Sequence, residues 1–229
     1  TFKFANCGEV YTIADLNLEG EKLENNVIII DNLDSFTLNI AHVIAGLGHD
    51  VCVLNGRDAK SDDYADSSVL IDVFNKYRPS HIVLGPGPGK PEDSKITMKI
   101  AQLANDGVLN LPVLGVCLGH QALGLVGGYR LIKDPNGAVH GAPVTCQSDG
   151  SGLFASSKKS NQFVRYNSLI ITGESNTELI PNVYDEYGSI MGLRHCSRPI
   201  HGVQFHPESI GSINGIEIIT AFLALQSDA

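Results

Sequence analysis

One cysteine of this chain lies where its thiol could act as a nucleophile. Cys117 stands in the segment GVCLGHQALG, directly after an apolar run at residues 112–114. Its neighbours Gly115 and Gly119 allow a sharp turn between a strand and a helix, as in the Gly-x-Ser-x-Gly segments that display a serine nucleophile. The N-terminus of that helix would stabilise a thiolate and a nearby oxyanion. The alternative is a small buried core residue, as most free cysteines are.

A histidine and a glutamate could activate this thiol. The segment GVQFHPES ends a predicted strand with His206 and Glu208, and side chains two residues apart share a face of a strand. Glu208 could orient the imidazole and stabilise its charged form while His206 takes the thiol proton. By composition alone a surface His-Pro-Glu turn is the commoner interpretation. Together with an elbow cysteine, the pair indicates a Cys-His-Glu triad.

A third candidate is the glycine- and proline-rich segment LGPGPGKP at residues 84–91. Rigid prolines and permissive glycines would fix a turn whose backbone can approach a substrate closely and aim N–H groups at it. The glycine spacing fits neither GxGxxG nor a Walker A loop, so we predict no nucleotide site. An ordinary loop is the alternative.

These segments follow apolar runs in a chain that alternates between predicted strands and helices. We predict strands at residues 27–30, 50–54, 81–84 and 111–116, and helices at 35–47, 67–77 and 96–106. Runs of Val and Ile separated by helices are typical of a parallel sheet covered on both faces, whose ligands bind beyond the carboxyl ends of the strands. After Gly128, short segments broken by Gly, Pro, Asn and Ser predict antiparallel strands that extend the sheet, and a helix at 215–225 closes the chain.

Composition narrows the class of protein. The 229 residues are 43% hydrophobic and 18% charged, which fits one sizeable domain with a full core. A net charge of −9 without a Lys/Arg cluster argues against a nucleic-acid partner. Because no apolar run approaches the roughly 20 residues that span a bilayer and no signal peptide opens the chain, we expect no membrane partner.

Cysteine usage and the N-terminal segment bear on location and domain organisation. The five cysteines are scattered and form no CxxC pair, which favours a reducing compartment, the cytoplasm or an organelle, over a disulfide framework or a metal site. Thr1 in place of an initiator Met indicates a processed chain or a piece of a longer polypeptide. We predict that residues 1–25 are a polar extension or linker and that residues 26–229 form the domain that carries the triad.

The three motifs, in their order and at their separations, carry a resemblance to a known family. GPGPG, GVCLGHQ and GVQFHPES resemble the class I, triad-type glutamine amidotransferases, from about residue 27 to residue 225. The resemblance implies a flavodoxin-like α/β fold, a three-layer, mostly parallel open sheet with an antiparallel extension. DNLDSFTLNI, AVHGAP, RYNSLI and IMGLRH further resemble the glutaminases of anthranilate synthase and aminodeoxychorismate synthase.

The resemblance implies a role for each matching residue. Cys117 would attack the side-chain amide of L-glutamine and form a glutamyl thioester, with His206 as base and then acid and Glu208 as its orienting group. The oxyanion donors would be the backbone N–H of Leu118 and one from the Gly87-Pro88-Gly89 turn, where either glycine must supply it because Pro88 has no N–H. Gln121 and the backbone of Ser168 and Leu169 would contact glutamine.

A chorismate-binding synthase, as a subunit or a fused domain, is the implied acceptor of the ammonia. The segments ASSKKSNQF and SLIITGES favour aminodeoxychorismate synthase slightly over anthranilate synthase. No cofactor or metal is expected in this chain, and a Mg²⁺ ion would belong to the synthase. The alternatives are a non-catalytic regulatory or docking module, against which Cys117 and His206 argue, and a cysteine hydrolase or peptidase on the same fold, against which Gln121 argues.

Three positions depart from the pattern of the family. His is usual where Asn167 stands, Lys where Ala142 stands and an aromatic residue where Leu38 stands. None belongs to the triad, so we expect effects on the rim of the substrate site or on the partner surface. Three other polar residues are expected to be local hydrogen-bond partners rather than reactants: His120, His140 and Asp34.

Overall fold

A nine-stranded sheet with helices on both faces forms the centre of the protein, in a computed structural model that describes residues 26–57, 67–175 and 177–227. In chain order the strands are β1 (Asn26–Asp31), β2 (Asp50–Asn55), β3 (His81–Leu84), β4 (Val113–Val116), β5 (Arg130–Lys133), β6 (Val139–Ser148), β7 (Ser160–Asn167), β8 (Leu169–Thr172), β9 (Leu179–Asp185), β10 (Ile190–His195) and β11 (Ile200–Val203). The helices are α1 (Thr37–Gly46), α2 (Ser67–Tyr77), α3 (Lys95–Asn105), α4 (Leu118–Val126) and α5 (Gly215–Leu223). The large sheet has the order β2-β1-β3-β4-β11-β10-β9-β6-β7.

The apolar strands are buried on both faces because helices cover each side. Along β1, Ile29 packs in a core cluster with α1 and α5, whereas Ile28 and Ile30 pack in a second cluster with α2, α3 and α4. This alternation follows from the two-residue period of a strand. The predicted three-layer α/β class is confirmed, and the predicted strands and helices of the first half lie within two residues of the observed ones.

The second half of the chain departs from the prediction in two ways. β6, β7, β9 and β10 do extend the sheet as antiparallel strands, but β11 returns to the centre and pairs parallel with β4. β5 and β8 form a separate two-stranded sheet instead of extending the large one. Short broken segments predict strands, but they do not say which strand each one pairs with, because partner choice depends on distant parts of the chain.

Two further expectations concern a membrane partner and the N-terminal segment. No helix within the described residues is long and apolar enough to cross a membrane. The predicted extension or linker at residues 1–25 lies outside the described residues and stays a prediction.

The turn between β4 and α4 depends on glycines. A Cβ at Gly115 would lie 2.5 Å from the carbonyl oxygen of Gly119, and a Cβ at Gly119 would overlap the carbonyl oxygen of Leu84 and lie 2.7 Å from its Cβ. Cys117 itself has φ 53° and ψ −101°, a backbone conformation that costs a non-glycine residue energy. Close packing of small residues therefore holds Cys117 in a strained strand-turn-helix elbow.

Replacing Gly119 by Ala should lower the free energy of unfolding by about 3 kcal/mol, because a backbone atom of β3 cannot move aside for the added methyl group. Gly46→Ala is the matched control, since a Cβ on that exposed helix residue meets nothing within 4 Å. Its stability should be unchanged or raised by up to about 1 kcal/mol. Urea unfolding of both variants gives the comparison, and equal stability would contradict the packing argument.

Candidate active site

The parallel pair β4 and β11 brings the candidate nucleophile and base to one edge of the sheet. Val116 pairs with Val203, and the Cys117 N–H donates to the carbonyl of Val203 at 2.9 Å. Cys117 therefore begins its turn one residue after β4, and His206 follows three residues after β11. The two side chains meet at the carboxyl ends of the parallel strands, where the sequence predicts the site.

His206 and Glu208 form a buried hydrogen-bonded pair. Nδ1 of His206 donates to Oε1 of Glu208 at 2.7 Å, and neither side chain is more than 1% exposed. Burial acts to lower the pKa of His206, but the neighbouring Cys117 and Glu208 outweigh it and raise that pKa to about 10. Nε2 has no hydrogen-bond partner among the described residues, and Cys117 is the neighbouring group, besides Glu208, that raises the pKa of His206.

Hydrogen bonds and aromatic rings hold the imidazole in position. The backbone of His206 pairs with Val164 of β7, and its carbonyl accepts from the Ser212 hydroxyl at 2.6 Å. The rings of Phe36 and Tyr166 meet the imidazole edge-on, with centroids 5.2 and 5.3 Å from it. The sequence contains both aromatic residues but gives no signal that they adjoin the triad, since Phe36 follows β1 and Tyr166 lies on β7, far away in the chain.

The Gly-Pro turn that follows β3 lies against the same edge. Gly85 is fixed by a bond from its N–H to the Ile30 carbonyl at 2.9 Å, and its own carbonyl accepts from Asn32 at 2.9 Å. A Cβ at Gly87 would meet Leu118, the first residue of α4, at 3.2 Å. Gly89 instead has φ +76° and faces Asp93.

The Pro88 carbonyl accepts a hydrogen bond from the guanidinium of Arg57. The peptide that contains the Gly89 N–H is therefore held by a side chain from beyond β2. Gly87 and Gly89 thus have different surroundings, with Gly87 beside Asn32 and Leu118 and Gly89 beside Asp93 and Arg57.

Gln121 and Leu169, which the resemblance assigns to glutamine binding, are hydrogen-bonded to each other. The Gln121 side-chain N–H₂ donates to the Leu169 carbonyl at 2.9 Å and to Oε1 of Gln204 at 3.1 Å. The Ser168 carbonyl accepts from the Asp134 N–H, so neither carbonyl in this segment is without a partner. Gln204 is the residue of this group that sequence reasoning missed, although it stands within the quoted segment GVQFHPES.

The three departures from the family pattern fall into two kinds. Leu38 and Ala142 are exposed, which agrees with an effect on the surface around the site. Asn167 is buried, and its amide donates to the Leu169 carbonyl at 2.9 Å while it accepts from Nε of Arg165 at 3.1 Å. Asn167 therefore helps to fix the carbonyl that Gln121 contacts.

The structure places the three polar residues that were not expected to react, Asp34, His120 and His140, in different surroundings. Asp34 accepts from the Phe36 N–H at 2.8 Å, as expected of a local partner. His120 is fully buried against Gly202, and burial lowers its pKa to about 3, so that it is neutral at physiological pH. His140 is exposed on β6. Among the described residues, no group of three or more His, Cys, Asp or Glu side chains could hold a metal ion.

Comparison with known proteins gives one family. The family model for class-I glutamine amidotransferases matches residues 28–225. Anthranilate synthase component 2 of Cyanophora paradoxa is 38% identical over 199 residues, which are 86% of this chain and 97% of that protein. Aminodeoxychorismate synthase of Streptomyces griseus is 39% identical over 198 residues; the match covers 85% of this chain but only 25% of that longer protein. A crystal structure of a glutamine amidotransferase from Thermotoga maritima, 15% identical, shares the fold with a TM-score of 0.60 over 81% of this chain and 77% of that one.

The raised pKa of His206 makes stability depend on pH in a defined direction. Because the pKa rises from its ordinary value of 6.5 to about 10 on folding, protonation of His206 stabilises the folded state. This contribution is fully present below pH 6.5 and is lost as the pH rises through about 10. Glu208→Gln removes one of the causes, so the loss of stability between pH 6.5 and pH 10 should be smaller in this variant than in the wild type.

Urea unfolding at these two pH values measures the difference. Glu186→Gln is the control, because it removes the same charge from an exposed residue outside the site and should leave the pH dependence as in the wild type. An equal pH dependence in the Glu208→Gln variant would mean that Glu208 does not stabilise the imidazolium.

Proposed function

The chain belongs to the class-I glutamine amidotransferase family, and we propose that it hydrolyses L-glutamine through Cys117 and delivers the ammonia to a synthase that aminates chorismate. The observation that carries the proposal is the strained elbow of Cys117 beside the buried His206–Glu208 pair. A filled triad argues against a purely regulatory module. No observation favours a peptidase.

The first half of the reaction begins when His206 takes the proton of the Cys117 thiol. The thiolate attacks the amide carbon of glutamine, and the carbonyl oxygen takes up the negative charge in a tetrahedral intermediate. The imidazolium then gives its proton to the leaving nitrogen, so that ammonia departs and a thioester remains. The pKa of about 10 keeps the imidazole of His206 protonated for this step at neutral pH.

The second half returns the enzyme to its starting state. Once His206 has given up its proton, Nε2 can accept one from a water molecule, whose oxygen attacks the thioester carbon. The carbon–sulfur bond breaks, its electron pair returns to sulfur and glutamate leaves. Throughout, Glu208 accepts the hydrogen bond of Nδ1 and so keeps the other ring nitrogen directed at the reaction.

Two backbone N–H groups are proposed to stabilise the oxyanion. Leu118 begins α4, and the first N–H groups of a helix have no partner within the helix. The second donor is the N–H of Gly87, which adjoins Leu118, or that of Gly89, whose peptide Arg57 holds through the Pro88 carbonyl. Pro88 between them has no N–H to offer.

The side chain of Gln121 can accept a hydrogen bond from the substrate but has no free N–H to donate. Both hydrogens of its amide are already donated, to Leu169 and to Gln204. Its oxygen is then the atom available to glutamine, and it would accept a hydrogen bond from the ammonium group or the carboxamide of the substrate. The backbone of Ser168 and Leu169 would offer N–H groups rather than carbonyls for the same reason.

Exposed apolar side chains beside the triad support docking of the synthase. Ile210 is fully exposed, Ile213 is 72% exposed and Leu33 is 58% exposed. Ile210 and Ile213 come two and five residues after Glu208, and Leu33 follows the Asn32 that adjoins Gly87. Ammonia released into water would be protonated and lose its nucleophilicity, so a partner that covers this rim is needed.

Two reactions are candidates for using the ammonia, the synthesis of anthranilate and that of aminodeoxychorismate, because the relatives are named after these two synthases. The proposal also assigns a reducing compartment, because the nucleophile must remain a thiol, and the cysteines that the structure describes, Cys52, Cys117, Cys146 and Cys196, are all free.

Cys117→Ser should reduce glutamine-dependent product formation by at least about a thousandfold, because a serine hydroxyl gives up its proton far less readily than a thiol and is the weaker nucleophile. Amination by added ammonium salt should persist when the variant is assayed with the synthase and chorismate. Cys196→Ser, at an exposed cysteine outside the site, is the control and should keep full activity. Glutamine use by the Cys117→Ser variant would remove this thiol from the mechanism.

Ile210→Asp should weaken binding to the synthase about tenfold or more, since a charge would be buried in an apolar contact. Glutamine hydrolysis by the chain alone should be unchanged. Val108→Asp, at a 56%-exposed residue that follows α3 at the opposite edge of the sheet, should leave synthase binding unchanged. Calorimetric titration with the synthase measures both, and equal affinities would place the docking surface elsewhere.

A further inference from the structure

Gln204 brings a side-chain amide to the sulfur of the nucleophile. It is the first residue after β11, it is completely buried, and its Nε2 donates to Sγ of Cys117 at 3.7 Å. Its backbone N–H is fixed by the Met191 carbonyl at 2.9 Å. A buried polar side chain aimed at a reactive atom has a chemical consequence for that atom.

The orientation of this amide is determined by its neighbours. Oε1 of Gln204 accepts from Gln121, whose amide is in turn bound to the Leu169 carbonyl. Asn167 donates to the same carbonyl and accepts from Arg165. If the amide of Gln204 were turned over, two N–H₂ groups would face each other and an oxygen would face the sulfur. The network therefore directs an N–H donor, and not an acceptor, at Cys117.

We propose that Gln204 is a catalytic residue of the glutamine hydrolysis proposed above, on which this inference rests. Its N–H donates to the sulfur when the sulfur is negatively charged, as a thiolate before attack and again when the carbon–sulfur bond of the thioester breaks. The sulfur of a thioester is neutral and accepts a hydrogen bond less strongly. Gln204 thus stabilises sulfur in the two states in which it holds the electron pair, and the Gln121 amide positions it.

Alkylation of the full chain by iodoacetamide at pH 7 tests this role without requiring turnover. Gln204→Met keeps the length of the side chain but has no donor, so the rate of alkylation at Cys117 should fall about fivefold to twentyfold, the effect of one hydrogen bond to a charged group. Peptide mass spectrometry separates Cys117 from the exposed Cys196, whose rate should not change and serves as an internal reference. Gln102→Met, on the exposed face of α3, is the matched control.

Steady-state kinetics with glutamine provides the second measurement. Because Gln204 contacts the sulfur, Gln204→Met should lower kcat about tenfold and leave KM within about twofold. Should this variant fail to fold, Gln121→Met tests the same network, since the amide of Gln204 then loses its fixed orientation and alkylation should slow about threefold.

Each outcome decides the proposal. A folded Gln204→Met variant whose Cys117 is alkylated as fast as in the wild type would overturn it, as would a change in KM alone. A wild-type chain that is alkylated at Cys117 but hydrolyses no glutamine, even with the synthase present, would instead disprove the proposed function, and the alkylation rates would still measure the contact of Gln204 with sulfur.

Discussion

The parallel pairing of β4 with β11 is the constraint on which the site depends. It joins two segments that are about ninety residues apart in the chain and aligns Val116 with Val203, so that the turns after the two strands leave the sheet side by side. A slip of the register would carry His206 away from Cys117. The same strand order leaves β10 and the antiparallel strands to one side, where β7 reaches back to contact His206 through Val164.

A buried ion cluster stabilises the antiparallel side and connects it to the site. Arg165 is 2% exposed and bonds to Asp185 at 3.1 Å and Asp134 at 2.7 Å. Burying charges is costly unless they are fully paired, and here the second oxygen of each carboxylate accepts backbone N–H groups. Nε of Arg165 continues through Asn167 to the Leu169 carbonyl. A continuous chain of hydrogen bonds thus connects the charged cluster, through Asn167 and Leu169, to Gln121, Gln204 and the sulfur of Cys117.

Backbone strain and exposed apolar side chains occur together at this edge of the sheet. Cys117 has a positive φ although it is not glycine, and Leu33 does so as well. A conformation of this kind persists where the surrounding packing determines it, and at Cys117 that packing comes from Gly115 and Gly119. Leu33 and Ile210 expose apolar surface to water at this edge, which is unfavourable in the free chain. A bound partner would cover that surface.

By itself the sequence determined the α/β class and the parallel first half, and it singled out Cys117, His206 and Glu208 as candidate reactive residues, because hydrophobic period, glycine spacing and side-chain type are local properties. Tertiary structure alone decided that β11 lies beside β4, that β5 and β8 form their own sheet, and that Phe36 and Tyr166 flank His206. It also decided that the amide of Gln204 points at Cys117. These are contacts between residues far apart in the chain, and their energies depend on which strands become neighbours, which no local pattern encodes.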